Sequence, residues 1–94
     1  MKPEMSTAFS DVVALEDRYQ LATYKKMPLV AERGEGVWLY ASDGKKYLDL
    51  YGGHAVAGTG HSHPHVVAAL QAQASKLLFY SNLVYSEARA RAAE

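Results

Sequence analysis

Hydrophobic side chains near the start of the chain recur every three or four positions. This spacing places them on one stripe of a helix, which we expect to run from about residue 10 to residue 21. Ser6, Thr7 and Ser10 are candidate N-cap residues, because their hydroxyl groups can accept a hydrogen bond from a free amide of the first turn. The stripe consists of Val12, Leu15, Tyr19 and Ala22.

The next apolar runs are short and are separated by turn residues, which is typical of β-strands. Residues 29–31 predict a first strand that ends at the break formed by residues 34–36. Residues 37–41 and 46–50 predict a hairpin, because Asp43 and Gly44 between them favour a two-residue type I′ turn. In that register the paired residues are Tyr40 with Tyr47, Leu39 with Leu48, and Val37 with Leu50.

The second half of the chain predicts two helices. Pro64 suits the first position of a helix, and the apolar stripe after it predicts that this helix ends near Phe79. Ser86 and Glu87 predict the start of a last helix, since they supply a cap and a negative charge at its N-terminus. Its pattern runs to Glu94 without a C-cap glycine, so we expect the sequence to be a piece of a longer one.

The run of residues 51–65 holds all four histidines of the chain together with Gly52, Gly53, Gly58 and Gly60. The alternation of His61, His63 and His65 is compatible with metal ligands, but Pro64 disrupts the shared direction that a strand would give them. The chain also has no cysteine. We therefore expect no metal site, and the alternative is that His61 and His63 donate hydrogen bonds to loop carbonyls.

Two other kinds of site fit this run poorly. The pair Gly58 and Gly60 lacks both the third glycine of a dinucleotide-binding loop and the lysine of a phosphate-binding loop. Ser62 lacks the flanking glycines of a hydrolase nucleophile. For the glycines themselves, a tight connection between the hairpin and the helix is an equally good explanation.

Composition and charge limit the partners of the protein. Ten basic residues balance ten acidic ones in 94 residues, so no overall field attracts the chain to nucleic acid or to an anionic membrane. We expect a small neutral or zwitterionic substrate or a protein partner. No segment has the apolar length of a signal peptide or a membrane span, from which we expect a cytoplasmic protein.

Several motifs occur in a fixed order along the chain: Thr23-Tyr24, Pro28, residues 32–39, residues 43–49, Gly53, Ala55-Val56, Gly60-His61, His63-Pro64, Ala69 and Gln73. Together they resemble the N-terminal region of class III pyridoxal-phosphate aminotransferases, and most closely the acetylornithine and ornithine branch. The resemblance covers about residues 20–94 and implies an α+β fragment of a fold type I pyridoxal-phosphate-dependent transferase. In such a fragment an N-terminal helix precedes a short β hairpin or meander, a glycine-rich loop and further helices.

The resemblance implies a function and a division of the chain. The activity is transfer of an amino group from N-acetylornithine, or a related omega-amino donor, to 2-oxoglutarate by a homodimer, as in arginine biosynthesis. The cofactor is pyridoxal 5'-phosphate. The implied parts are an N-terminal helical arm (1–28), a small β meander (29–51), and the glycine and histidine loop with its following helices (52–94), ahead of the large cofactor-binding domain.

None of the lysines in the chain matches the family's Schiff-base lysine, so the resemblance implies no catalytic residue here and an inactive chain by itself. The alternative function is a noncatalytic fragment or an interaction module that binds a partner through Leu70, Leu77 and Phe79.

The resemblance also implies residues that contact the substrate. Tyr24 matches a tyrosine that reaches the polar end of the substrate, although an aromatic packing residue is an equal alternative. Ser81 and Asn82 resemble a bend near the dimer interface and the active site, which an ordinary turn explains equally well. The residues that match a loop lining the substrate cavity are Gly53, His54, Ala55 and Val56, of which His54 departs from the apolar residue or tyrosine usual in the family.

Overall fold

A computed structural model describes residues 9–94, which form short helices and one antiparallel sheet. The chain divides into two units, the first ending at His63 and the second spanning Pro64–Glu94, and each is described by itself. In chain order the elements are α1 (Phe9–Tyr19), β1 (Ala31–Glu35), β2 (Trp38–Ala41), β3 (Lys46–Leu48), α2 (Gly52–Ala55), α3 (Pro64–Ala74) and α4 (Glu87–Ala93).

Helix α1 confirms the helix predicted from the apolar stripe, and it ends two residues before the expected boundary. Of the candidate caps, Ser10 lies inside the helix, whereas Ser6 and Thr7 lie outside the described residues. The chain after α1 returns toward the helix, because the Lys26 ammonium contacts the Glu16 carboxylate and donates to Gln20 Oε1 at 3.0 Å.

The three strands form a meander in the order β1-β2-β3, with both pairs antiparallel. The prediction that the first strand occupies residues 29–31 is wrong, since β1 begins at Ala31 and continues through Gly34. Backbone pairing with β2 needs no side chain, so this glycine does not end the strand. A β-bulge at Glu32 lets the register move from Ala31 opposite Ala41 to Arg33 opposite Tyr40.

The β2–β3 hairpin forms as predicted, but its predicted register is wrong by one residue. Tyr40 pairs with Lys46 and Leu39 with Tyr47. The connection has three residues, because the Gly44 amide donates to the Ala41 carbonyl at 3.0 Å and Ala41 in turn donates to the Lys45 carbonyl at 2.9 Å. Gly44 has φ +83°, whereas Asp43 does not have the positive φ that a type I′ turn requires.

The two faces of the sheet carry different side chains. On one face the Arg33 guanidinium lies 3.6 Å from the centre of the Tyr40 ring, and Lys46 Nζ lies 3.9 Å from the centre of the Trp38 ring. The other face contains Ala41, which is only 4% exposed and is the one buried hydrophobic residue among residues 9–94. The first unit therefore has a very small core.

In the second unit, α3 begins at Pro64 as predicted but ends at Ala74, well before Phe79. The chain turns there: the amides of Lys76 and Leu77 both donate to the Gln73 carbonyl at 3.0 Å, and the Gln73 side-chain amide donates to the Leu77 carbonyl. Helix α4 confirms the predicted cap, since Ser86 Oγ accepts from the Arg89 amide at 3.4 Å. No helix within residues 9–94 has the length and apolar character needed to cross a bilayer.

Candidate functional site

One carboxylate organises the chain as it leaves the sheet. Asp49 follows β3 directly, and its amide donates to the Val37 carbonyl at 2.8 Å, which keeps it aligned with the sheet. Its Oδ1 atom accepts from the amides of Tyr51 at 3.0 Å and Gly52 at 2.8 Å. Aspartate commonly accepts hydrogen bonds from backbone amides two or three residues later in the sequence, because its side chain is short. The start of the glycine-rich loop is thus bound to Asp49.

The other oxygen of this carboxylate binds the far end of the same loop. Asp49 Oδ2 lies 2.6 Å from His61 Nε2, and both side chains are largely shielded from solvent. The backbone of His61 exchanges two hydrogen bonds with Gly36 in the β1–β2 turn, of 2.9 Å and 2.8 Å. The His61 side chain also lies against Gly34, where an added Cβ would stand 2.6 Å from His61 Cβ.

The chemistry of this pair identifies which atom donates the hydrogen bond. A carboxylate can only accept hydrogen bonds, so Nε2 of His61 must carry the proton that lies between them. The Gly52 amide lowers the pKa of the Asp49 carboxyl most strongly, followed by the His61 side chain and the Tyr51 amide. Asp49 therefore stays ionised to a lower pH than an ordinary aspartate.

This lowered pKa predicts a loss of stability in acid. A carboxylate whose pKa is lowered by folding stabilises the fold above its unfolded pKa, and this contribution disappears as the pH falls through the folded pKa. We expect the protein to show a larger drop in thermal midpoint between about pH 6 and pH 3 than its Asp49→Asn variant. The matched control is Asp43→Asn in the hairpin turn, which should keep the wild-type pH profile. An identical pH profile for wild type and Asp49→Asn would contradict this role.

Between these two anchors the chain makes a left-handed turn, α2. The φ angles are +65° at Gly52, +61° at Gly53, +60° at His54 and +62° at Ala55. The turn is closed by hydrogen bonds from the Ala55 amide to the Tyr51 carbonyl at 3.1 Å and from Ala57 to Gly52 at 3.0 Å. Glycine tolerates this geometry, but His54 and Ala55 each cost about 1–2 kcal/mol in it. Their strain must be offset by contacts elsewhere.

The predicted substrate-contacting residues of the loop are therefore placed on this turn. The His54 imidazole packs edge-on against the Tyr51 ring, with 4.9 Å between ring centres, and Tyr51 Oη contacts Nδ1 and lies 2.9 Å from Nε2. Val56, immediately after the turn, is 83% exposed. His54 on the turn and Val56 directly after it thus place an imidazole and an apolar side chain at the surface of the first unit.

Tyr24 lies on a different part of the first unit. It is 83% exposed and lines an open groove of about 590 Å³ between α1 and the segment that leads into β1. Residues 53–56 do not line this groove. The structure therefore places Tyr24 and the left-handed turn in separate surroundings within the first unit.

Ser81 and Asn82 lie in the second unit, in the loop before α4. Ser81 Oγ accepts from the Leu83 amide at 3.3 Å, and Asn82 Oδ1 accepts from the Arg89 guanidinium at 3.0 Å. The same guanidinium donates to the Val84 carbonyl at 2.7 Å. Arg89 thus holds the loop that contains Asn82, a contact that the sequence analysis did not anticipate.

Asp49 is the main residue that the sequence analysis missed. The expected partners of His61 were loop carbonyls, but its ring binds this carboxylate, which lies just before the glycine and histidine run. An aspartate that follows a strand and precedes two glycines is a recognisable signal for a side chain that binds backbone amides. Within residues 9–94, no three His, Asp or Glu side chains come together as metal ligands.

Several groups among the described residues that could bind pyridoxal phosphate are engaged with other partners. Lys26 contacts Glu16, Lys45 lies 3.6 Å from Asp43, and Lys46 lies above Trp38. The amides that the glycine-rich loop could offer to a phosphate at Tyr51 and Gly52 are already bound to Asp49, and those of Gly36 and His61 are bound to each other's carbonyls. No reaction step is therefore assigned to this cofactor on these residues.

Known proteins resemble the chain in sequence and in structure. Residues 19–94 match the family described as Aminotransferase class-III. The chain is 41% identical over 90 residues to the acetylornithine aminotransferase of Methanosarcina mazei. The aligned region covers 96% of this chain and 23% of that protein. It is 54% identical over 61 residues to the acetylornithine aminotransferase of Mesorhizobium japonicum, and this region covers 65% of the chain and 15% of that protein.

Two solved structures give the same result for the fold. The acetylornithine aminotransferase of Elizabethkingia anophelis matches with a TM-score of 0.81 and 38% identity, over 84% of this chain and 20% of that one. Plasmodium falciparum ornithine delta-aminotransferase matches with a TM-score of 0.84 and 28% identity, over 90% and 22%. The α+β fragment expected from the sequence is thereby confirmed, and the chain spans only 15–23% of the length of the curated relatives above.

Proposed function

The chain belongs to the class-III aminotransferase family, and from this premise we propose that it is the N-terminal part of a longer aminotransferase, called the full-length enzyme below. The proposed reaction moves the amino group of N-acetylornithine, or of a related omega-amino donor, to 2-oxoglutarate. The observation that carries the proposal is the 41% identity to an acetylornithine aminotransferase over nearly the whole chain. Arginine biosynthesis is the corresponding proposed role.

We propose pyridoxal 5'-phosphate as the cofactor and a cytoplasmic homodimer as the working form. In the family that the chain resembles, the lysine and the main cofactor contacts lie downstream of this region, so we assign them to the remainder of the full-length enzyme. The contribution of residues 9–94 is then to bind and orient the substrate. We also propose that the chain divides into an arm (1–28), a meander (29–51) and a loop with helices (52–94), ahead of the large cofactor-binding domain.

The left-handed turn is the proposed contact surface for the substrate. We call Gly53, His54, Ala55 and Val56 the substrate wall. His54 has a positive φ within the turn and Val56 follows directly after it, and the exposure of Val56 leaves its side chain accessible to a small molecule. An imidazole beside an apolar group suits a donor with a polar end and an aliphatic chain.

Tyr24 and the bend at Ser81 and Asn82 are the other proposed substrate-site residues. The exposed phenol of Tyr24 combines an apolar ring with a hydroxyl that can bind the polar end of a donor. The Arg89 contact keeps Asn82 in a defined orientation, which supports a role beyond that of an ordinary turn. The bend is also proposed to lie near the dimer interface.

The proposal predicts measurable transamination. Full-length enzyme supplied with pyridoxal phosphate should form glutamate from 2-oxoglutarate, and we expect N-acetylornithine to exceed 4-aminobutyrate in kcat/KM by about tenfold or more. Because Tyr24 is assigned to the donor's polar end, Tyr24→Phe should raise the KM of N-acetylornithine by about three- to tenfold, the range for one lost hydrogen bond. Glutamate production is followed in a coupled assay.

Tyr19→Phe is the matched control, because Tyr19 is also an exposed tyrosine of the first unit but lies in α1, where its ring contacts Arg18. It should leave the KM unchanged. Absence of transamination with N-acetylornithine, ornithine, succinylornithine and 4-aminobutyrate would overturn the proposed function. Tight binding of another protein, lost on changing Leu70, Leu77 or Phe79, would then favour an interaction module.

A further inference from the structure

We propose that the Asp49–His61 pair is a positioning device that holds both ends of the loop carrying the substrate wall. The role of the wall in binding substrate rests on the proposed function, whereas the fixing of the loop backbone rests on the geometry of the pair. Neither residue needs to touch the substrate. The pair acts through the backbone that it fixes.

At the first end of the loop, the carboxylate binds the backbone directly. Oδ1 of Asp49 accepts from the Tyr51 and Gly52 amides, which immediately precede the wall. These bonds set the direction in which the chain enters the left-handed turn. The aspartate itself is held by the sheet through its own amide and the Val37 carbonyl.

At the second end, the same carboxylate binds a side chain whose backbone is fixed independently. Oδ2 of Asp49 lies 2.6 Å from His61 Nε2, and the His61 backbone pairs with Gly36 in the β1–β2 turn. Gly60 assists this pairing, because a Cβ there would stand 3.2 Å from the Gly36 carbonyl oxygen. The loop is therefore closed across the sheet by one ionised group.

The backbone of the wall gives a reason for such a closure. His54 and Ala55 both occupy the left-handed region, which residues with a Cβ disfavour. A loop fixed at one end only could relax to ordinary φ angles and would move the imidazole and Val56 away from their places. Fixing both ends through Asp49 keeps the strained conformation populated.

A wall held this way acts on substrate binding. If it contacts the substrate equally in the ground state and in the transition state, loosening it raises KM and leaves kcat nearly unchanged. A general loss of stability would instead lower the fraction of active enzyme, which reduces the apparent kcat. The two effects are therefore separable by kinetics.

The test compares two replacements of His61 in the full-length enzyme. His61→Phe keeps a ring against Gly34 but removes the N–H donor, whereas His61→Gln removes the ring but can place an N–H near Asp49. We expect His61→Phe to raise the KM of N-acetylornithine about tenfold with kcat within about twofold, and His61→Gln to return KM to within about threefold of wild type. The control Asp43→Asn should match wild type.

Hydrogen exchange supplies a readout that does not depend on activity. We expect His61→Phe to speed exchange of the peptide covering residues 50–58 by about tenfold, with His61→Gln and Asp43→Asn close to wild type. Unchanged exchange and unchanged KM in His61→Phe would overturn the inference. Equal defects in both His61 variants would also overturn it, because ring packing rather than the hydrogen bond would then hold the loop.

The experiment separates this inference from the proposed function. If wild-type enzyme shows no transamination, the function fails while the exchange rates still test the pair. If neither His61 variant folds, the wild-type protein still tests the first end of the loop: the Tyr51 and Gly52 amides should exchange at least about tenfold more slowly than in an unstructured peptide. Exchange at the unstructured rate would overturn the inference.

Discussion

The 94-residue chain produced by itself is expected to unfold without a sharp thermal transition and to bind an apolar dye strongly. Ala41 is the one buried hydrophobic residue within residues 9–94, while Leu50, Phe79 and Tyr85 are at least 80% exposed. A small sheet with so little covered surface lacks the burial that cooperative unfolding requires. Circular dichroism during heating and dye fluorescence at low temperature measure the two properties.

The full-length enzyme is the control for this prediction. If the remainder of the protein covers the exposed side chains, it should show a sharp transition and little dye binding under the same conditions. A sharp transition from a monomer of the isolated chain would contradict the prediction. Concentration-dependent sharpening would instead show that copies of the chain cover one another.

Replacing Gly34 is expected to lower the stability of the protein markedly. An added Cβ would stand 2.6 Å from Cβ and 2.7 Å from Cγ of His61, closer than such atoms approach one another, so Gly34→Val forces His61 away from the sheet. Overpacking of this kind costs about 1–3 kcal/mol in the free energy of unfolding. We expect a lower thermal midpoint of the full-length enzyme and faster hydrogen exchange in the loop of residues 50–58.

Gly58→Ala is the matched control, because nothing lies within 4 Å of a Cβ at that position and its φ is not in the left-handed region. It should leave both measurements near their wild-type values. If Gly34→Val and Gly58→Ala behaved alike, the close approach of Gly34 and His61 would carry no energetic weight.

The presence of α1, α3, α4 and a hairpin was predictable because their signals are local, whereas the bounds of β1 and the end of α3 were not. The apolar stripe identified α1, and Ser86 identified the start of α4 within one residue. The hairpin register was not predictable from the sequence, because Asp-Gly is compatible with both two-residue and three-residue connections. The choice became visible only through the backbone, where Gly44 alone of the turn residues has a positive φ.

The Asp49–His61 pair shows why the site was less predictable than the fold. The two residues are twelve positions apart, and their contact depends on how the loop returns to the β1–β2 turn. Neither periodicity nor residue type encodes that return. Tyr24, the substrate wall and the bend at Ser81 and Asn82 remain predictions, since their roles depend on a substrate and on the rest of the enzyme.

Closing the loop at both ends also affects how its length can change during evolution. The entropy lost on joining the ends of a flexible segment grows only with the logarithm of its length, so doubling that length costs about 0.6 kcal/mol. Asp49 and His61 lie outside the segment of residues 53–59. We therefore expect insertions or deletions within that segment to change the surface of the loop while the hairpin and both anchors keep their arrangement.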